Sequence, residues 1–127
     1  MSGDALRLTF DVPERVSGGG VVAFVLGVEN AGGMPAELYL VGRTIAFDIM
    51  VETSAGRPVW RRLAGAVVQA VLRLEMLPPD GRLEFVAEWD TSASAGGAAE
   101  PGEYIAWGEL LTDGAPLVSP RGRFRIE

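Results

Sequence analysis

The sequence predicts an all-β fold: an antiparallel β-sandwich of about eight or nine short strands in one domain over 1–127. Three observations predict it. Apolar side chains recur at every second position, the period of a strand with one face in a core. Gly, Pro, Asn, Asp and Ser clusters interrupt those runs at short intervals. No segment carries a long, convincing helical pattern.

Leu6, Leu8, Phe10 and Val12 alternate with Arg7, Thr9 and Asp11, and Pro13 closes the first strand. Gly18 to Gly20 form a turn. Phe24, Leu26 and Val28 give the second strand, which stops at Asn30-Ala31-Gly32-Gly33. Leu38 and Leu40 mark a third. Ile45, Phe47, Ile49 and Val51 mark a fourth, which ends at Ser54-Ala55-Gly56. Pro58-Val59-Trp60 opens a short fifth. Ala66 to Leu77 fits a helical face or a strand; its β-branched residues and the Pro-Pro stop favour an extended chain. Pro79-Asp80-Gly81 is a turn. Leu83, Phe85, Ala87 and Trp89 form the cleanest alternation. Thr91 to Glu100, rich in Ala, Gly and Ser, reads as a mobile loop. Tyr104 to Leu111 is a further strand, Asp113-Gly114 a turn, and Phe124 with Ile126 a last strand pairing with an early one.

Composition closes off most catalytic designs. The chain has no Cys, no His and no Lys; its cations are 11 Arg, set against 17 Asp plus Glu. There is no thiolate, no imidazole base or zinc ligand, and no lysine for a Schiff base or phosphate loop. The net charge is −6 and the pI near 4.7, which argues against nucleic acid and anionic membrane surfaces. The longest apolar run, Val21 to Leu26, is far shorter than the ~20 residues that span a bilayer, so no membrane insertion is expected. The start, Met-Ser-Gly-Asp, shows no signal peptide; the expectation is a cytoplasmic protein, or an exported one if a leader has been removed.

Asn30, the only Asn, reads as the cap of a strand end. Pro101-Gly102-Glu103-Tyr104 places a Tyr where Ig-like sandwiches bond its hydroxyl back to the corner backbone. Trp89 is in phase with the core, and Trp60 is core or half-buried. If the Tyr104 face is inward, small Ala106 and Gly108 leave room for a large neighbour such as Trp89 or Trp60, and Trp107 stands on the outer face, either covered by a neighbouring loop or free as a candidate exposed binding aromatic. Asp48, Glu52, Glu84, Glu88, Asp90, Glu103 and Glu109 read as solvated outer faces rather than an acid/base pair. No calcium loop, nucleophile–base pair or phosphate cradle is visible, so no catalytic residue, cofactor or metal is expected.

Several segments, in order, resemble the intracellular proteinase inhibitor (BsuPI) domain family. They are Gly27-Val28-Glu29-Asn30, Gly42-Arg43-Thr44-Ile45-Ala46-Phe47-Asp48-Ile49, Gly56-Arg57-Pro58-Val59-Trp60-Arg61 and Leu77-Pro78-Pro79-Asp80-Gly81. Phe85 to Asp90 and Pro101 to Tyr104 continue the likeness, which spans roughly Val21 to Leu111. An inserted Pro-Asp before Gly81, and Leu63 where an aromatic is common, depart from the family pattern. The resemblance implies an Ig-like β-sandwich and a protein partner, a subtilisin-like serine protease. An inhibitor needs a stiff loop with a large apolar residue for the protease's main pocket. Met34 with Pro35, and Met76-Leu77 with Pro78, are the candidate inhibitory contacts. The alternative is a non-inhibitory Ig-like binding or assembly module, including one belonging to an exported protein, which pairs edge strands with a partner.

Overall fold

A computed structural model describes residues 5–42, 45–94 and 96–127. Met1–Asp4, Arg43, Thr44 and Ala95 lie outside the described residues, so part of the Gly42–Ile49 motif and of the Thr91–Glu100 segment does too.

Among the described residues the chain forms β1 (Leu6–Asp11), β2 (Arg15–Val16), β3 (Val22–Asn30), β4 (Ala36–Val41), β5 (Phe47–Thr53) and β6 (Pro58–Arg61). It continues with β7 (Leu72–Leu77), β8 (Arg82–Trp89), β9 (Gly102–Leu110), β10 (Leu117–Val118) and β11 (Gly122–Ile126). The architecture is the all-β sandwich that the alternation predicts. Two-residue β2 and β10 are the strands that it does not reveal, being too short to carry a period. Within the ambiguous Ala66–Leu77 stretch only Leu72–Leu77 is strand; residues 66–71 are irregular.

One sheet has the order β1-β3-β8, the other β2-β11-β9-β5-β6, with β10 added on β9. The two face each other across the core. From the first come Phe24, Leu26, Val28, Ala87 and Trp89; from the second, Ile49, Val51, Tyr104, Ala106, Leu110, Phe124 and Ile126, all buried. The last strand does pair with an early one: β11 runs parallel to β2, with Ile126 opposite Val16. Gly108 of β9 lies directly against Leu26 of the facing sheet. A Cβ there would stand 3.0 Å from Leu26 Cδ1, so Leu26, not a tryptophan, fills the space beside it.

Phe10, Phe24, Trp60, Trp89, Tyr104 and Phe124 form one connected aromatic group, and Phe47 and Phe85 a separate pair. Trp60 reaches in from edge strand β6 and stacks on Trp89 at 5.7 Å between ring centroids and on Phe24 at 6.4 Å. Phe124 meets Phe24 edge-on at 5.9 Å and stacks on Tyr104 at 5.6 Å. The Tyr104 hydroxyl donates to the Glu100 carbonyl, closing the corner expected of an Ig-like sandwich. Burial, and then the nearby Glu100 charge, raise its phenol pKa.

β4 and β7 form a separate two-stranded ribbon, Ala36 opposite Leu77 through Val41 opposite Leu72. The other edge of β4 leans on the segment after β9: Val41 N donates to Leu111 O and Asp113 N to Tyr39 O. β7 pairs with no other strand among the described residues.

Two local expectations are corrected. The described residues of the Thr91–Glu100 segment are tied down rather than loose. Ser92 bridges Ala98, Ala99 N donates to Thr91 O, Ser94 N to Val59 O, and the Trp89 indole N–H to Ser92 O. Small residues let it fold tightly over the end of β8. Asp48 is not on a solvated face but fully buried. The chain after β6 crosses outside β5, so Asp48 accepts from the N–H of Ile49 and of Leu63, each at 2.9 Å, and from Arg61 Nε. That contact also raises the Arg61 pKa.

Candidate functional site

The loop that follows β3 and the turn that follows β7 meet over Asn30. This residue ends β3 fully buried, and every polar atom of its amide is used. Nδ2 donates to the Met34 carbonyl at 2.7 Å and to the Leu77 carbonyl at 2.9 Å. Oδ1 accepts from Gly32 N at 2.9 Å, the local bond that an Asn before Ala-Gly predicts. The backbone joins in: Asn30 N donates to Gly81 O, and Asp80 N to Asn30 O. A single side chain thus braces two loops that lie far apart in sequence. Asp80 holds a left-handed φ of 62° in the second loop, a conformation that Asp tolerates better than most residues.

The predicted contact residues fall into three groups. Met34 and Pro35 stand at the loop surface, Met34 77% exposed, above a carbonyl fixed by Asn30. Pro78 is exposed in the neighbouring turn. Leu77 is buried at 4%, which removes it as a contact; it pairs with Ala36 and points into the core. Met76 is exposed but lies on the outer face of β7, not in the loop. The structure therefore joins Met34, Pro35 and Pro78 at one end and separates Met76 from them.

Trp107 is half-buried on the outer face of β9. The Arg121 guanidinium covers its ring at 4.2 Å from the centroid. Trp107 and Met50, opposite each other across β9 and β5, line an open groove of about 710 Å³ that runs past Arg57 and Trp60 to Ala99. The outer face of β1-β3-β8 is a different surface. Arg82 reaches Glu29 and Glu84, and its guanidinium donates to Thr9 Oγ1 at 3.0 Å, over Gly27. Such exposed pairs contribute little stability and keep the face solvated.

Two serine hydroxyls, those of Ser119 and Ser92, are engaged in local hydrogen bonds. Ser119 is buried, but its Oγ donates to the Pro120 carbonyl and accepts from Gly108 N. The Ser92 hydroxyl and N–H both donate to Asp90, holding that carboxyl below its usual pKa in an exposed turn with no base beside it. Among the described residues no group of three or more His, Cys, Asp or Glu gathers to hold a metal ion, and no helix is long and apolar enough to cross a membrane.

Neither a family model nor a curated protein sequence matches the chain. Solved structures do, at low identity. The alkylpurine DNA glycosylase AlkC of Pseudomonas fluorescens superimposes with a TM-score of 0.53 at 13% identity, over 97% of this chain and 30% of that one. A β-glucosidase of Listeria innocua superimposes with a TM-score of 0.52 at 11% identity, over 95% of this chain and 16% of that one. The CARDB domain of a Pyrococcus furiosus protein gives 0.49 at 12% identity, over 96% and 94%. The chain thus spans less than a third of the glycosylase and about a sixth of the glucosidase. At these identities the likeness shows the fold alone: a β-sandwich that larger proteins also contain.

Proposed function

We propose that this is a non-catalytic binding domain that engages a protein through the loop end braced by Asn30, as an inhibitor of subtilisin-like serine proteases does. The observation that carries the reading is the pair of hydrogen bonds from Asn30 Nδ2 to the carbonyls of Met34 and Leu77. An inhibitory loop must keep its shape before and after the protease closes on it, and bonds from a buried amide to the loop backbone provide that. Met34 supplies the large apolar side chain that such a protease favours, and Pro35 after it resists cleavage. The likeness to the BsuPI family supplies the protease class.

The test is a titration against a panel of serine proteases that includes a subtilisin-like one, with intact mass recorded afterwards. Stoichiometric loss of protease activity with the chain uncut supports the reading, and Met34→Asp abolishes the effect. Rapid digestion of the chain, or full inhibition by Met34→Asp, sinks it.

A second reading, a non-inhibitory Ig-like assembly module, is favoured by the apolar outer face of the β4–β7 ribbon. Tyr39, Leu72, Leu74 and Met76 are 43%, 56%, 51% and 51% exposed there, a density that single scattered apolar residues do not explain. The same titration separates the readings, since a module of this kind leaves every protease active.

A further inference from the structure

The far edge of β7 has a defined backbone pattern. Gly42 N donates to Val71 O, and these two positions continue the β4–β7 register by one step. Bonded pairs alternate with non-bonded ones along an antiparallel ladder. Arg73, Glu75 and Leu77 therefore turn their backbone groups toward β4. Leu72, Leu74 and Met76 turn theirs away from it. The opposite edge of β4 obeys the same phase, because Tyr39 and Val41 bond outward to Asp113 and Leu111. So β7 presents a row of N–H and C=O groups from three residues whose side chains are all exposed and apolar.

Edges are normally guarded by charge or proline. β6 opens on Pro58 and ends on Arg61; β8 carries Arg82, Glu84 and Glu88. β7 reads Leu-Arg-Leu-Glu-Met-Leu, and its two charges are opposite in sign and two positions apart, 3.5 Å from each other within the strand. That pattern is complementary to itself. Laid antiparallel on a second copy with Leu74 facing Leu74, it sets Arg73 opposite Glu75 twice and Leu72 opposite Met76 twice. Moving the centre one residue either way sets Arg73 against Arg73 or Glu75 against Glu75. The charges thus favour one register of self-pairing.

We propose that the domain forms a two-fold dimer by antiparallel pairing of β7 with β7 of a second copy, centred on Leu74. The result is a four-stranded β4-β7-β7-β4 ribbon, an isologous contact of the kind closed dimers use. Its outward apolar face runs from Tyr39 of one copy to Tyr39 of the other. The inference is independent of the loop-end reading, since Met34 and Asn30 take no part.

Sedimentation equilibrium from low micromolar to about millimolar protein tests it, because a contact of one short strand has modest affinity. A reversible monomer–dimer equilibrium is expected. Arg73→Glu places like charges opposite each other at both cross-strand pairs and weakens the dimer roughly ten-fold. Arg73→Glu with Glu75→Arg restores complementarity and brings affinity back to within about two-fold. Leu74→Pro removes an outward N–H while sparing every bond to β4, and abolishes the dimer; should it unfold the domain by circular dichroism, the charge series decides alone. A monomer at every concentration, a dimer that Arg73→Glu leaves unchanged, or one that the double swap fails to restore overturns the proposal.

Discussion

Asn30 and Asp48 are both fully buried polar residues at strand positions, and each bonds to backbone of a neighbouring loop. Replacing Asn30 with Ala removes its bonds to the Met34 and Leu77 carbonyls and to the Gly32 N–H. The expected loss is about 2–4 kcal/mol in urea unfolding, since an orphaned buried group costs ~1–3 kcal/mol. The loops it braces should also become more sensitive to proteolysis near Met34. Asp48→Ala strands the N–H groups of Ile49 and Leu63, and about 2–3 kcal/mol should be lost. The ion pair adds little to that, because Arg61 is 63% exposed. The two residues differ in how far the sequence reveals them. Asn before Ala-Gly announces its bond to Gly32, but nothing local announces Leu77, 47 residues away. Asp48 reads as outward because strand alternation is right about its face. What it omits is the chain after Arg61 crossing over that face.

At the scale of elements, strands with one buried and one wet face are legible, and segments that depend on distant contacts are less so. β8 alternates without a break and appears where Leu83 to Trp89 predict it. β7 is blurred because its apolar residues point outward. Leu72, Leu74 and Met76 are the exposed set, and buried Leu77 begins the turn that Asn30 braces. For the same reason the loop reading of Met76-Leu77 fails while that of Met34-Pro35 keeps its exposed contact. The phase of β7 makes a measurable statement. In dilute protein, amide exchange should be slow at Arg73 and Glu75, which face β4, and fast at Leu72, Leu74 and Met76. A uniform rate along the strand, read residue by residue by NMR, contradicts the assigned edge.

Over the whole molecule, β5–β6 and β9–β10 pair as sequence neighbours, the other pairings join strands that are not consecutive, and the ends of the described chain close the fold. β11 joins β2 near the start to β9, and it places Phe124 and Ile126 in the core. Removing residues 122–127 deletes both side chains and the central strand between β2 and β9. Burying two such side chains contributes several kcal/mol, on the order of the whole stability of a domain this size. The truncated chain should show no cooperative thermal transition in calorimetry. The fold class was legible because a period of two needs no knowledge of partners; the pairing order was not, because it is decided by contacts between distant strands. One consequence of the aromatic packing reaches the optical properties of the molecule. Trp60 belongs to one sheet and Trp89 to the other, with ring centroids 5.7 Å apart and planes 24° from parallel. Two indoles that close share their excited states, so their exciton-coupled dichroism reads the spacing between the sheets and vanishes when they part. Trp107, under Arg121 on the outer face, stands outside that pair and leaves the signal to the core.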